Sequence, residues 1–143
     1  MSSETLVCPS CLALNRVPGE RLGEGPKCGK CKAALVSDHP VEATSAGLAK
    51  MIARSSLPVV VDFWAPWCGP CRSMAPAYTA AAKAMAGSAI FVKVDTDAEQ
   101  QAGAAHAIRS IPTLALFRGG REVARQAGAM PQSAIMDWVR GLI

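Results

Sequence analysis

Long apolar runs are missing from this chain. Its longest continuous apolar stretches are a few residues, far short of the roughly 20 that cross a bilayer, which excludes a membrane-spanning helix. The opening Met1-Ser2-Ser3-Glu4-Thr5 has no basic segment followed by an apolar one, so export through a secretory signal is not expected. Charge is sparse as well: Asp, Glu, Lys and Arg make up 18% of the 143 residues, for a net charge of +4. It is also evenly spread, with five basic and three acidic side chains in residues 1–36 and ten and eight in the remainder. Nucleic-acid binding rests on a dense basic face that neutralises several phosphates, and none is expected here. Aromatic residues amount to 5%, and residues 1–36 contain none. That segment also has no sustained apolar period, and it is too short to bury enough apolar surface to fold alone.

Apolar residues are nevertheless 50% of the whole, the composition of a globular protein and not of a disordered one. These features together predict a soluble, cytoplasmic, monomeric protein without nucleic-acid or membrane partners. Against that background six cysteines need explanation, because a reducing cytosol does not sustain structural disulfides. Four lie in the first 36 residues. Ser37-Asp38-His39-Pro40 is turn-forming and marks the boundary, giving a small domain at 1–36 and a larger one at 37–143.

In the larger part strands and helices alternate. A helix is expected over about 45–54, followed by a buried strand over 57–64, where the run is continuously apolar and β-branched. The alanine-rich stretch from Gly69 to Met85 reads as a helix kinked near Pro76. A strand over 90–94 and a helix from Asp97 to about His106, opened by an acidic cap, come next. Strands over 113–117 and 122–125 flank the turn Arg118-Gly119-Gly120-Arg121. A last amphipathic helix over 133–142 turns Ile135, Met136, Trp138 and Val139 inward. The pattern predicts an α/β fold with a mixed central sheet covered by helices. His39 and His106 read as an ordinary linker and an ordinary helix residue.

Cys68-Gly69-Pro70-Cys71 follows the buried strand and opens a helix. Unpaired N–H groups and the helix dipole favour negative charge there, so the Cys68 thiol should ionise readily, and the thiolate is the species that attacks disulfides. Cys71 lies one turn further, within reach of Cys68 and better shielded. Pro70 sits in the first turn, where a missing N–H costs little. The pair suits two-step exchange: Cys68 attacks, and Cys71 resolves the mixed disulfide. Asp62 interrupts an apolar strand two residues before Trp64, and desolvation should raise its pKa.

Cys8-Pro9-Ser10-Cys11 and Cys28-Gly29-Lys30-Cys31 supply four thiolates on two knuckles separated by 16 residues, the pattern of a zinc ribbon holding one structural ion. Gly29 is expected to permit the tight second knuckle, and Lys27, Lys30 and Lys32 to offset negative charge. Two further disulfides, or a shuttle feeding Cys68, are the alternatives. Because the ribbon lacks its own core, chelation is expected to unfold it while the second domain stays folded.

Val61-Asp62-Phe63-Trp64-Ala65, Trp67-Cys68-Gly69-Pro70-Cys71-Arg72, Ile111-Pro112-Thr113 and Gly128 resemble the thioredoxin family over about residues 41–143. With the four-cysteine segment, the resemblance narrows to the zinc-containing thioredoxin 2 type of bacteria and extends over nearly the whole chain. It implies the thioredoxin fold preceded by a zinc-ribbon domain, with Cys8, Cys11, Cys28 and Cys31 as zinc ligands and no organic cofactor. It further implies a cis bond before Pro112 opposite the redox pair. Asp62 would accept the Cys71 proton through water, and Trp67, Gly69, Pro70, Ile111, Pro112 and Gly128 would dock the substrate. The implied partners are disulfide-containing protein substrates and a flavin-containing, NADPH-dependent thioredoxin reductase. The resemblance places Phe91 where the family often has a lysine beside the aspartate, with Lys93 two residues later on the same face. A neutral Phe91 predicts that Asp62 stays protonated further up the pH scale. The leading expectation is protein-disulfide reduction. A zinc-dependent redox switch or holdase, and an interaction module without chemistry, stand as rivals.

Overall fold

The computed structural model describes residues 3–143. The amino-terminal part is a hairpin of β1 (Ser3–Val7) and β2 (Leu14–Pro18), paired antiparallel so that Val7 faces Leu14 and Leu6 faces Asn15. A 3₁₀ segment, Gly19–Glu24, ends at Gly25, whose φ of +68° is open to glycine at little cost. Residues 27 and 34 form an isolated antiparallel bridge that frames the second knuckle.

The larger sheet is built from β3 (Val41–Glu42), β4 (Val59–Trp64), β5 (Ile90–Asp95), β6 (Thr113–Arg118) and β7 (Arg121–Ala127), in the order β3-β5-β4-β6-β7. The first three run parallel, and β6 and β7 pair antiparallel. β4 is central, and its first five residues are buried, the apolar Val59, Val60, Val61 and Phe63 together with Asp62. Gly119 and Gly120, at φ +59° and +80°, make the two-residue turn between β6 and β7 that the right-handed strand twist favours.

Helices cover both faces. α2 (Gly69–Ala84) and α4 (Gln132–Arg140) pack on a core of Val60, Met74, Tyr78, Leu114, Leu116 and Ile135. The other face, with Leu48, Met51, Val61, Phe63, Val92 and Ala115, is covered by α1 (Ser45–Arg54) and α3 (Gln100–Ala105). The fold is the expected α/β arrangement with a mixed sheet. Of the four residues expected inward on the last helix, Ile135 and Val139 are buried, while Met136 and Trp138 are partly buried against the same core.

Two local expectations are corrected. The helix expected from Asp97 begins at Gln100, and no acidic side chain caps it. Glu99 caps its neighbour instead: Oε1 accepts from the Ser45 N–H at 2.7 Å and the Ser45 hydroxyl at 3.1 Å, while Asp95 Oδ1 takes the Asp97 N–H at 2.9 Å. Gly29 does not supply the left-handed residue of the second knuckle. That conformation falls to Lys32, at φ +68°, and in the first knuckle to Leu12, at φ +64°. The residue after each Cys-x-x-Cys pair makes the turn, and its N–H returns to the first cysteine's carbonyl, Leu12 to Cys8 at 2.9 Å and Lys32 to Cys28 at 3.0 Å.

The ribbon completes its packing on the larger part of the chain. Leu6, Cys8, Val17, Cys28 and Leu35 form a small cluster against which Leu57 and Ile90 pack. Val7 joins the other side of the hairpin to the Met51 and Val59 core. Ser56 ties the edge: its N–H donates to the Thr5 carbonyl at 3.0 Å, and its Oγ accepts from the Thr5 N–H at 2.7 Å while donating to Glu4.

Candidate functional site

β4 ends at Trp64, and the chain turns through Ala65-Pro66-Trp67 into α2, whose N-cap is Cys68. The Cys68 sulfur accepts from the Cys71 N–H at 3.2 Å, one of the orphan donors of the helix start. Cys68 and Cys71 are joined as a disulfide with Cα atoms 5.2 Å apart. Cys71 is 2% exposed and Cys68 4%, so the expected difference in shielding is small and both sulfurs are largely covered. Arg72 donates to the Pro66 carbonyl at 2.8 Å, bracing the turn, and Pro76 lies inside α2. Trp67 is 67% exposed, with Nε1 donating to Asp97 at 2.7 Å, and so presents a broad apolar ring beside the disulfide.

The Ile111-Pro112 bond is cis. It brings the Ile111 carbonyl oxygen to 3.9 Å from the Cys68 sulfur. Across the next strand, the Gly128 N–H donates to the Pro112 carbonyl at 2.9 Å; Gly128 has φ +98°, and nothing lies within 4 Å of where a Cβ would stand. The chain thus brings Cys68, Ile111, Pro112 and Gly128 together around open space. Trp67, Gly69 and Pro70 adjoin Cys68 in sequence at its margin.

Asp62 is 1% exposed, and neither carboxylate oxygen has a hydrogen-bond partner. Burial pushes its pKa up to about 7, and the Lys93 charge pulls against that rise. Phe91 is not the residue that faces Asp62, contrary to expectation. The parallel register sets Asp62 against Lys93 and Val60 against Phe91, so the cross-strand neighbour of the carboxyl is a lysine. Phe91 is buried in the apolar core beside Tyr78, with ring centroids 5.4 Å apart. The Lys93 ammonium lies 4.3 Å from the Trp64 ring centroid, a cation–π contact.

Two residues near this site had no signal in the sequence. The Tyr78 hydroxyl is buried over the β4–β5 ladder, its one O–H shared between the carbonyls of Val92 at 2.8 Å and Val60 at 3.1 Å. In sequence it is one aromatic in an alanine-rich helix, where core packing is the natural reading. Arg125 on β7 donates to the carbonyls of His106 at 2.7 Å and Ala107 at 3.4 Å, while Glu122 grips the same guanidinium at 2.7 and 2.9 Å. It fixes the end of α3, from which the chain runs to Ile111. The His106 ring packs between Phe63 and Phe117, at 5.6 and 5.2 Å, and burial lowers its pKa. Among the described residues, His39 pairs only with neighbouring Asp38 and Ser37 on the surface.

The four remaining cysteines converge. Their sulfurs all lie within 4.8 Å of one another, with Cys8 to Cys31 at 3.5 Å and Cys11 to Cys28 at 3.6 Å. Sulfurs about 3.8 Å apart are what a tetrahedral ion with zinc–sulfur bonds of about 2.3 Å requires, so the donor set fits zinc. His39 does not belong to this cluster. Backbone N–H groups of Ser10 and Cys11 point at the Cys8 sulfur, both at 3.4 Å, and that of Lys30 at the Cys28 sulfur, at 3.3 Å. The Cys31 backbone and then the Asn15 amide hold the Cys28 thiol down at about 6. This hydrogen-bonded cluster packs against Leu57 and Ile90, where β4 and β5 begin, whereas the disulfide follows the far end of β4.

Comparison with known proteins finds relatives of both parts of the chain. The family model described as Thioredoxin matches residues 39–141, and the one described as Thioredoxin 2, N-terminal, a zinc ribbon, matches residues 7–33. Thioredoxin C-3 of Corynebacterium nephridii is 43% identical over 134 residues, covering 94% of this chain and 92% of that protein. Thioredoxin 1 of a Nostoc species is 48% identical over 81 residues, 57% of this chain and 76% of that one. Among solved structures, Fasciola hepatica thioredoxin superposes with a TM-score of 0.64 at 36% identity, over 71% of this chain and 96% of its own. A mutant thioredoxin from Halobacterium salinarum gives 0.66 at 29% identity, over 73% and 91%.

Proposed function

The chain belongs to the thioredoxin family, and from that membership and the geometry of its redox site we propose that it is a protein-disulfide reductase with a zinc-binding amino-terminal module. It is a thiol–disulfide oxidoreductase; the proposal concerns direction, residues and partners. The observation that carries it is the Cys68–Cys71 disulfide at the start of α2, with the Cys68 sulfur 3.9 Å from the Ile111 carbonyl at the cis-Pro112 bend.

In the reduced protein Cys68 is the nucleophile. Its thiolate at the N-cap, facing the Cys71 N–H, attacks one sulfur of a substrate disulfide; that bond breaks, the other substrate sulfur leaves as a thiolate, and a mixed disulfide forms. Cys71 then gives its proton to Asp62 through a water molecule and attacks the Cys68 sulfur. The second substrate thiolate departs, and the Cys68–Cys71 disulfide remains. A carboxyl titrating near 7 is matched to taking and returning a proton at neutral pH. Trp67, Gly69, Pro70, Ile111, Pro112 and Gly128 form the docking surface. An extended substrate segment lies along the Ile111 backbone, opposite the open space at Gly128.

A thioredoxin reductase supplies two electrons from NADPH to reopen the disulfide. Cys8, Cys11, Cys28 and Cys31 hold one structural zinc ion, and no organic cofactor is bound. This reading divides the chain at 1–36 and 37–143 and places a monomer in the cytoplasm; no helix among the described residues is long and apolar enough to cross a membrane.

Turnover of insulin disulfides with thioredoxin reductase and NADPH tests the reading. Activity in the wild type that vanishes in Cys68→Ser is the expected result. An inactive wild type with zinc bound would overturn it.

A further inference from the structure

Among the described residues, Asn15 is the one side-chain amide hydrogen-bonded to a cysteine of the metal cluster. It stands on β2, directly after the first knuckle, yet its side chain reaches across to the second. Its Nδ2 lies 3.5 Å from the Cys28 sulfur and 3.2 Å from the Ala13 carbonyl, and its Oδ1 accepts from the Gly29 N–H at 3.0 Å. One planar group therefore touches both halves of the centre. It grips the first knuckle by a carbonyl, the second by a backbone N–H, and a ligand sulfur by its remaining donor.

The two knuckles otherwise match. In each, the first cysteine N–H donates two residues beyond the second cysteine, Cys8 to Ala13 at 2.9 Å and Cys28 to Ala33 at 2.8 Å. Counting from the first cysteine, the position equivalent to Asn15 in the second knuckle is Leu35, which is 6% exposed and belongs to the apolar cluster. The amide is thus a feature of one half only, and its reach is toward the other half. Four thiolates around one divalent cation leave the centre with excess negative charge. A donor aimed at a ligand sulfur disperses part of it and orients the sulfur, the usual work of groups outside a metal's ligand shell.

We propose that Asn15 is a positioning residue of the metal centre, holding the Cys28 knuckle at bonding distance and stabilising its bound thiolate. The inference rests on the reading that the four cysteines bind zinc. Asn15→Asp is the discriminating variant. It keeps the size of the side chain and the acceptor for the Gly29 N–H, but sets an anionic oxygen against the thiolate where the donor was. Asn15→Ala removes both.

Zinc content of the full chain is measured first, followed by the chelator concentration that removes half of it, read with a colorimetric chelator. The wild type is expected to carry one zinc per chain, and both variants to release it at chelator concentrations about 10–100-fold lower, the range for lost supporting groups around a metal. Insulin reduction by the zinc-loaded variants should stay at the wild-type rate, showing an intact fold. Cobalt substitution gives a second readout: the thiolate-to-cobalt charge-transfer band should shift in Asn15→Asp, which a turn-forming role alone would not produce. Variants that retain zinc within twofold of the wild type, with an unshifted cobalt band, overturn the role of Asn15. A wild type that binds neither metal overturns the zinc reading beneath it.

Discussion

Lys93 stands directly across the β4–β5 ladder from Asp62, yet its ammonium rests over the Trp64 ring, and both Asp62 carboxylate oxygens are left without a hydrogen bond. The lysine therefore acts on the carboxyl through its charge alone. Burial raises the pKa to about 7, and Lys93 keeps it from rising further.

Lys93→Met should accordingly move the Asp62 titration upward. The pH–rate profile for disulfide reduction is expected to shift its midpoint up by about one unit. An unmoved midpoint would show that Lys93 has no electrostatic hold on Asp62. Phe91→Lys is not the informative change, since Phe91 sits opposite Val60 in the apolar core.

The raised carboxyl also makes stability depend on pH. The folded state holds its proton up to about pH 7, whereas an unfolded chain releases it near 3.8, so folding weakens as pH rises between those values and levels off above 7. The difference of about three units is worth on the order of 4 kcal/mol. Asp62→Asn should therefore stabilise the protein by up to about 4 kcal/mol at pH 8 and by little at pH 4, measured by urea denaturation at both. Equal effects at the two values would contradict the raised pKa. On the proposed mechanism, in which Asp62 takes the Cys71 proton, the same variant should slow the resolving step.

Arg125 ties β7 to the carbonyls of His106 and Ala107, at the root of the segment that leads to Ile111. Arg125→Met is expected to raise KM for a protein disulfide about fivefold with kcat little changed, corresponding to about 1 kcal/mol of lost positioning. Steady-state kinetics decides it; a fall in kcat at constant KM would assign the clamp a different task.

Metal removal should reach beyond the ribbon. Leu57 and Ile90 complete its cluster, and Val7 is part of the Met51 and Val59 core. Chelation is expected to unfold the ribbon, leave the larger part folded, and lower its melting temperature by several degrees, as the loss of about 1–2 kcal/mol of apolar cover implies. Calorimetry with and without chelator checks this. A second transition that does not move would mean that the two parts are energetically independent.

Much of this molecule was legible in order along the chain. Cys-x-x-Cys at a strand-to-helix turn is local chemistry: the N-cap position, the orphan N–H groups and the one-turn spacing follow from residues 64–71 themselves. The four ribbon cysteines are legible for the same reason, because a tetrahedral ion imposes its own geometry on any chain that offers thiolates at knuckle spacing. Lys93 was harder. Phe91 and Lys93 share the parity of the strand, so alternation assigns both to one face and is silent about which faces Asp62; a slip of two residues changes the partner without changing the pattern. The capping of α1 by Glu99 was hidden likewise, since it joins elements 54 residues apart.

The sequence by itself determined the grouping of the cysteines into a redox pair and a four-thiolate set, the alternation of strands and helices, and the buried carboxylate, because each rests on residue type and spacing read along the chain. Tertiary structure alone decided which lysine faces Asp62, that Arg125 reaches the end of α3, that Asn15 bridges the knuckles, and that the ribbon shares its apolar cover with Leu57 and Ile90. Those relationships depend on register and on contacts between distant segments, and neither leaves a periodic trace in the residues that make them.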